Sequence, residues 1–134
     1  MVIDTSALVA ILCNEPEAPL FEEALERNAT RLISAGTLLE ASIVIEARFG
    51  EAGGRELDLL IHKAQIRIEP FDQEQAEIAR EAYRTYGKGR HPSGLNYGDC
   101  FAYALSSARG EPLFYKGEDF SKTDIKSALT AIAE

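Results

Sequence analysis

Apolar residues in this chain fall into short blocks separated by polar or glycine-rich breaks, and their spacing shifts between the period of a strand and that of a helix. Met1–Ile3 is a brief apolar run that predicts a buried strand. Thr5–Leu12 predicts a short helix with Leu8, Val9, Ile11 and Leu12 inward. Glu17–Asn28 places Leu20, Phe21, Ala24 and Leu25 at helical spacing, with acids outside. Arg31–Ser34 predicts a second strand. Thr37–Phe49 predicts a strongly apolar helix closed by Gly50, and Gly54–Ala64 a further helix with Leu57, Leu60 and Ile61 inward. Ile66–Pro70 sets Ile66 and Ile68 against Arg67 and Glu69, the alternation of a half-exposed strand. Asp72 caps a helix to about Tyr86, whose inward face is expected to hold Ala76, Ala79 and Tyr83, beside Ile78 and Ala82. "GKGRHPSGLNYG" is a loop by its turn residues. "DCFAYALSSARG" predicts a helix begun by Asp99 and ended by Gly110. "PLFYKG" predicts a last buried strand, and "EDF" the turn after it.

Strands alternating with helices predict an α/β fold, a short parallel β-sheet flanked by α-helices, formed by one domain over residues 1–134. Ligands of such sheets gather at the carboxyl ends of the strands. Asp4 follows the first strand and Glu118 and Asp119 follow the last, so all three are expected at that edge.

Size and charge narrow the picture. A chain of 134 residues, 46% of them apolar, can bury a sizeable core. No apolar stretch approaches the roughly 18–20 residues that cross a bilayer, and no signal-peptide pattern opens the chain. A cytoplasmic protein with no membrane association is expected. Cys13 and Cys100 are expected to be reduced thiols. The net charge of −8 argues against a general nucleic-acid coat. It is uneven, however: residues 1–60 hold 4 basic and 11 acidic side chains, residues 61–134 hold 10 and 11. Arg80, Arg84, Lys88 and Arg90 cluster with Glu81 as their one local opponent. They can contact phosphates or form a solvated helix face.

Four acids sit beside hydrophobic sequence: Asp4, Glu40, Asp99 and Asp119. Each has an ordinary account. Asp4 and Asp99 suit helix N-termini, Asp119 suits a turn, and Glu40 can lie on a narrow wet stripe with Thr37. Glu40 is the hardest to dismiss, because a glutamate within "TLLEASIVI" is costly to bury unpaired. Taken together, carboxylates gathered at one sheet edge repel one another and raise their own pKa values. A hard divalent cation with oxygen ligands, magnesium or manganese, relieves that conflict. Neither His62 nor His91 is near these acids in sequence, which disfavours zinc. An acidic oxygen-only site points to phosphoryl chemistry with a metal-activated water. The hydroxyls of Thr5 and Ser6 can orient a water or phosphate there, or simply cap a turn. A small-molecule phosphatase with Asp4 as nucleophile is a competing class. The acid expected two residues later is absent, as are the glycine motifs of nucleotide binding.

The stretches "MVIDTSALVAIL", "TLLEASIVIEARFG", "PFDQEQAEIAREAYRTYGKGRHPSGLNYGDCFAYAL" and "LFYKGEDFSKTDI" together resemble the PIN-domain ribonucleases and, more narrowly, the VapC toxins of type II toxin–antitoxin pairs. The resemblance covers nearly the whole chain. It implies a PIN-like fold, often dimeric, and magnesium- or manganese-dependent endonucleolytic cleavage of RNA, with transfer or ribosomal RNA as the expected substrate. It assigns Asp4, Glu40 and Asp99 to the metal-site acids and Asp119 to the fourth, more variable position. Glu118 precedes Asp119 where the related pattern has an aspartate pair. Ser93 and Tyr97 stand where alanine and phenylalanine are usual. The resemblance also implies a cognate VapB antitoxin and a larger assembly with it, and makes Arg80–Arg90 the expected place for RNA backbone contacts. His62 is expected to be structural, His91 a plain loop residue. Tyr97, Phe101 and Tyr103 are expected to pack against neighbouring elements rather than stack on bases. The alternative is a non-catalytic module on the same fold that binds RNA or a partner.

Overall fold

The structure is a computed structural model that describes residues 1–129, so the last five positions of the expected 1–134 domain, 130–134, lie outside the described residues. The chain runs β1 (Val2–Ile3), α1 (Thr5–Leu12), α2 (Ala18–Arg27), β2 (Leu32–Ser34), α3 (Ala35–Lys63), β3 (Arg67–Glu69), α4 (Gln73–Tyr86), α5 (Tyr97–Arg109) and β4 (Leu113–Phe114). The four strands form one parallel sheet in the order β3-β2-β1-β4.

The two central strands are buried on both faces, as strands of parallel sheets are. Alternation along the chain sends neighbours to opposite sides. Met1, Ile3, Ile33 and Phe114 pack with Leu8, Phe21, Leu25, Leu57 and Ile61 from α1, α2 and α3. Val2, Leu32 and Leu113 pack with Ala82, Leu95, Ala102, Leu105 and Phe120 from the α4–α5 side. The chain leaves β1 toward β2 and β3 and returns to add β4 on the other side of β1. Asp4 therefore stands where the strand order reverses, the place where open α/β sheets leave a crevice.

One expectation for α3 holds and three others need correction. The helix expected to close at Gly50 does so: within α3 (Ala35–Lys63) Gly50 has a non-helical φ of 69° and ψ of −165°, and a second helical segment follows the break, as expected. That left-handed φ is open to glycine at little cost. On β3 the expected alternation fails: Ile66 is buried but Ile68 is 47% exposed. Glu69 instead turns into a hydrogen-bonded pair of arginines, Arg67 at 2.6 Å and Arg109 at 3.2 Å. β3 is an edge strand, so nothing obliges both isoleucines to face the core. On α4 the buried face is Gln75, Ala79 and Ala82, while Ala76 and Tyr83 are exposed. Gln75 Nε2 donates to Pro70 O at 3.1 Å, and this bond suits a rotation that alanines, with little apolar area, specify weakly. Finally, α5 starts at Tyr97 with Asn96 as its cap, so Asp99 lies inside the first turn. Both cysteines are free thiols, as expected. No helix among the described residues is long and apolar enough to cross a membrane.

Candidate active site

Asp4 leaves β1 in extended backbone geometry (φ −91°, ψ 157°) and serves as the N-cap of α1. Its backbone N donates to Phe114 O at 3.0 Å, which ties it to the end of β4. Its Oδ2 accepts from Ser6 N at 3.0 Å and from Ser6 Oγ at 2.6 Å. Ser6 Oγ in turn accepts from the backbone N of Lys116, just beyond β4, at 2.9 Å. The capping account of Asp4 is therefore correct for one oxygen only. The other, Oδ1, is buried and has no hydrogen-bond partner. An acceptor left in that state is costly unless a ligand completes it.

Glu40 projects from α3 toward the same place. Its Oε1 accepts from Thr5 Oγ1 at 2.6 Å. Its Oε2 lies against Gly98 of α5, where a β-carbon would land on the carboxylate. Glu40 is half-buried while Thr37 is fully buried, so no wet stripe joins the two. The hydroxyls of Thr5 and Ser6 are both engaged on carboxylates.

Asp99 is held by a reciprocal capping box. Asp99 N donates to Asn96 Oδ1 at 2.9 Å, and Asn96 N donates to Asp99 Oδ2 at 3.0 Å. Burial, above all, pushes the Asp99 carboxyl up to about 7, and the charges of Asp4, Asp119 and Glu40 push the same way. Asp4 is raised to about 6, again chiefly by burial, with Glu40 adding to it and the Ser6 bonds opposing it. Acids from β1, α3, α5 and the β4 turn thus reach one another electrostatically across the carboxyl edge of the sheet.

The donors are all oxygens. Cys100 is turned aside, its Sγ donating to Asn96 O at 3.3 Å, and burial holds the thiol up at about 11. His91 is a loop residue as expected, with Nδ1 accepting from Ser93 N at 3.0 Å. His62 is exposed on α3. Among the described residues no three His, Cys, Asp or Glu side chains form a ready-made metal cage. The orphaned Asp4 Oδ1 and the mutually raised carboxyls nonetheless suit a hard cation, which would satisfy the first and reverse the second.

Glu118 and Asp119 are exposed after β4. Glu118 Oε2 accepts from Ser121 Oγ at 3.1 Å, whereas Asp119 acts on Asp99. Arg80, Arg84, Lys88 and Arg90 are exposed along α4 and the loop after it, with Arg84 paired to Glu81 at 3.3 Å. Tyr103 packs as expected and donates to Asp124 Oδ1 at 2.5 Å. Tyr97, 81% exposed, meets Phe101 of its own helix edge-on. Three contributors escaped the sequence reading. Asn96 was legible as the first member of an Asn-x-x-Asp capping box. Gly98 and the Lys116 backbone had no sequence signal, because both act through contacts with residues more than fifty positions away.

The family model of the PIN domain matches residues 1–126. This chain belongs to the PIN-domain family. Within that family it is 60% identical over 125 residues to ribonuclease VapC30 of Mycobacterium tuberculosis, an alignment covering 93% of this chain and 95% of the relative. It is therefore one of the VapC proteins. Among solved structures, the PIN fold seen here is similar to that of M. tuberculosis VapC20, described as a sarcin-ricin loop cleaving toxin. The TM-score is 0.75 at 16% identity, over 92% of this chain and 95% of that one. It is also similar to a chain of VapBC2 from Rickettsia felis bound to a DNA fragment from their promoter. There the TM-score is 0.68 at 16% identity, over 94% of both chains. At that identity these two show the fold alone.

Proposed function

We propose that this VapC chain is the toxin of a type II toxin–antitoxin pair, an endoribonuclease that hydrolyses RNA phosphodiester bonds through its acidic site. The observation that carries the reading is the buried, unpartnered Oδ1 of Asp4 beside Asp99 and Glu40. The identity to a curated VapC ribonuclease supports it. Asp4, Glu40, Asp99 and Asp119 would hold magnesium or manganese. Asp119 is preferred over Glu118, whose carboxylate is engaged by Ser121. When bound, such an ion lowers the pKa of water and neutralises charge developing on the phosphate.

The chain's own residues do the rest. Ser6, itself held by the Lys116 backbone, fixes Asp4 through Oδ2 and leaves the buried Oδ1 free for a ligand. Thr5 orients Glu40, and Asn96 orients Asp99. No side-chain nucleophile is required, which separates this site from a phosphatase that uses Asp4 covalently. Arg80, Lys88 and Arg90 would meet the RNA backbone. The working unit is read as one PIN domain over residues 1–134, acting in the cytoplasm as a homodimer and held in check by a VapB-type antitoxin. The R. felis VapBC2 complex supports the antitoxin. The test is cleavage of purified RNA with magnesium, with EDTA and with Asp4→Asn. Cleavage is expected in the first case only, and an Asp4→Asn protein that cuts like the parent ends the proposal.

A further inference from the structure

Tyr97 and Phe101 form a wall between two hollows. The rings meet edge-on, with centroids 5.1 Å apart and planes at 86°, and Phe101 meets Phe71 the same way at 4.7 Å and 72°. On one side is a cavity of about 500 Å³ lined by Phe71, Ala79, Arg80, Tyr83, Tyr97 and Phe101. On the other is a smaller, mostly apolar hollow of about 230 Å³, lined by Leu39, Ile43 and Val44 with the same two rings, where Gly98 backs onto the Glu40 carboxylate. The aromatic cavity is therefore one side-chain thickness from the acidic site. Its size falls within the roughly 300–1,000 Å³ of small-ligand pockets.

The charge around it is unlike the rest of the chain. Arg80 lines the cavity and makes no ion pair among the described residues. Arg84, Lys88 and Arg90 continue from it, four cations to one acid over residues 80–90 of a chain with net charge −8. A second copy meeting this patch across a two-fold axis would set like charges face to face. A polyanion carrying flat, unpaired rings is complementary to both features. Exposed aromatic and guanidinium planes are what single-stranded RNA bases stack on.

We infer that the cavity between α4 and α5 holds an unstacked nucleobase of single-stranded RNA, adjacent to the phosphate being cut, stacked on Tyr97 with Arg80 beside it. The inference rests on the ribonuclease reading and adds to it a subsite next to the chemistry. Tyr97 is a binding residue here, and its hydroxyl is dispensable. Because its side chain is 81% exposed, its removal leaves the core intact.

The experiment compares parent, Tyr97→Ala, Tyr97→Phe and Arg80→Ala on total cellular RNA with magnesium, with the cut ends mapped. A fluorescent RNA spanning the mapped cut then measures binding in an Asp4→Asn background, and light scattering measures mass in solution. Tyr97→Ala is expected to lower the cleavage rate at limiting RNA and the affinity by roughly 5- to 150-fold, the effect of one lost base–aromatic stack. Arg80→Ala is expected to weaken both as well. Tyr97→Phe is expected to match the parent, with mass unchanged throughout. The subsite is overturned if Tyr97→Ala cuts and binds like the parent, if Phe is as damaging as Ala, or if the loss comes with a change in mass, which would make this face a contact between copies. A parent that leaves RNA intact with magnesium and with manganese sinks the ribonuclease reading itself, and the subsite with it.

Discussion

The hydroxyl of Thr5 donates to Oε1 of Glu40 at 2.6 Å, joining the first turn of α1 to the middle of one α3 turn across the acidic site. That bond holds a carboxylate whose aliphatic neighbours offer it nothing else to bind. In the proposed site Thr5 would be a positioning residue, acting on RNA only through Glu40. Thr5→Val, nearly the same shape, should lower kcat about 10- to 100-fold, the usual range when a ligand's supporting bond is removed. KM for RNA should change little, and Thr5→Ser should restore most of the rate. Steady-state kinetics on one mapped RNA separates these outcomes. Equal losses in Val and Ser variants would deny the hydroxyl its role.

Gly98 is the other boundary of Glu40. A methyl group there would occupy the space of Oε2, so Gly98→Ala must push Glu40 away from Asp4 and Asp99. The expected result is a folded protein with manganese affinity reduced about tenfold or more, read by calorimetry. Unchanged affinity would mean that Glu40 does not serve the cation.

Asp4 and Asp99 are raised to about 6 and about 7, mainly by burial. A carboxyl raised on folding favours the folded state at low pH, and that contribution is lost as pH climbs from the unfolded value near 4 through the folded one. Metal-free protein should therefore melt at a higher temperature at pH 5 than at pH 8. Magnesium should recover part of the loss at pH 8. Asp4→Asn should flatten the profile and abolish cleavage. Thermal melts across pH 4–8, with and without EDTA, test this, and a rise in melting temperature over that interval would contradict it.

Asn96→Ala removes half of the capping box that starts α5. The expected cost is about 1 kcal/mol of stability, measured by urea unfolding. Alanine keeps the backbone N that donates to Asp99 Oδ2, so cleavage should fall no further than the loss of folded protein accounts for. Asn96→Asp, which keeps the cap but adds a negative charge beside Asp99, should preserve stability better than activity.

The strands and most helix limits were legible because local chemistry sets them. Thr5–Leu12 emerges as expected, since it lies between a carboxylate cap and a turn, and Gly110 ends α5 in the left-handed conformation that stops helices. The four acids were also visible, because charges embedded in apolar blocks demand a reason. The burial faces of α4 and β3 were not. An alanine-rich helix and an edge strand have several nearly equivalent orientations, and contacts with Pro70 and Arg109 choose among them.

What the sequence alone determined is the alternation of strand and helix and the presence of four misplaced carboxylates, both written in short-range spacing and in the cost of burying charge. Their convergence was decided only by tertiary structure. Parallel pairing carries β1 between β2 and β4, and the helices fold over it until Glu40 meets Thr5 and Gly98. Contacts between residues 35 to 110 positions apart leave no periodic trace in a chain, so Ser6 held by Lys116 and Glu40 held against Gly98 become visible only once the sheet is assembled.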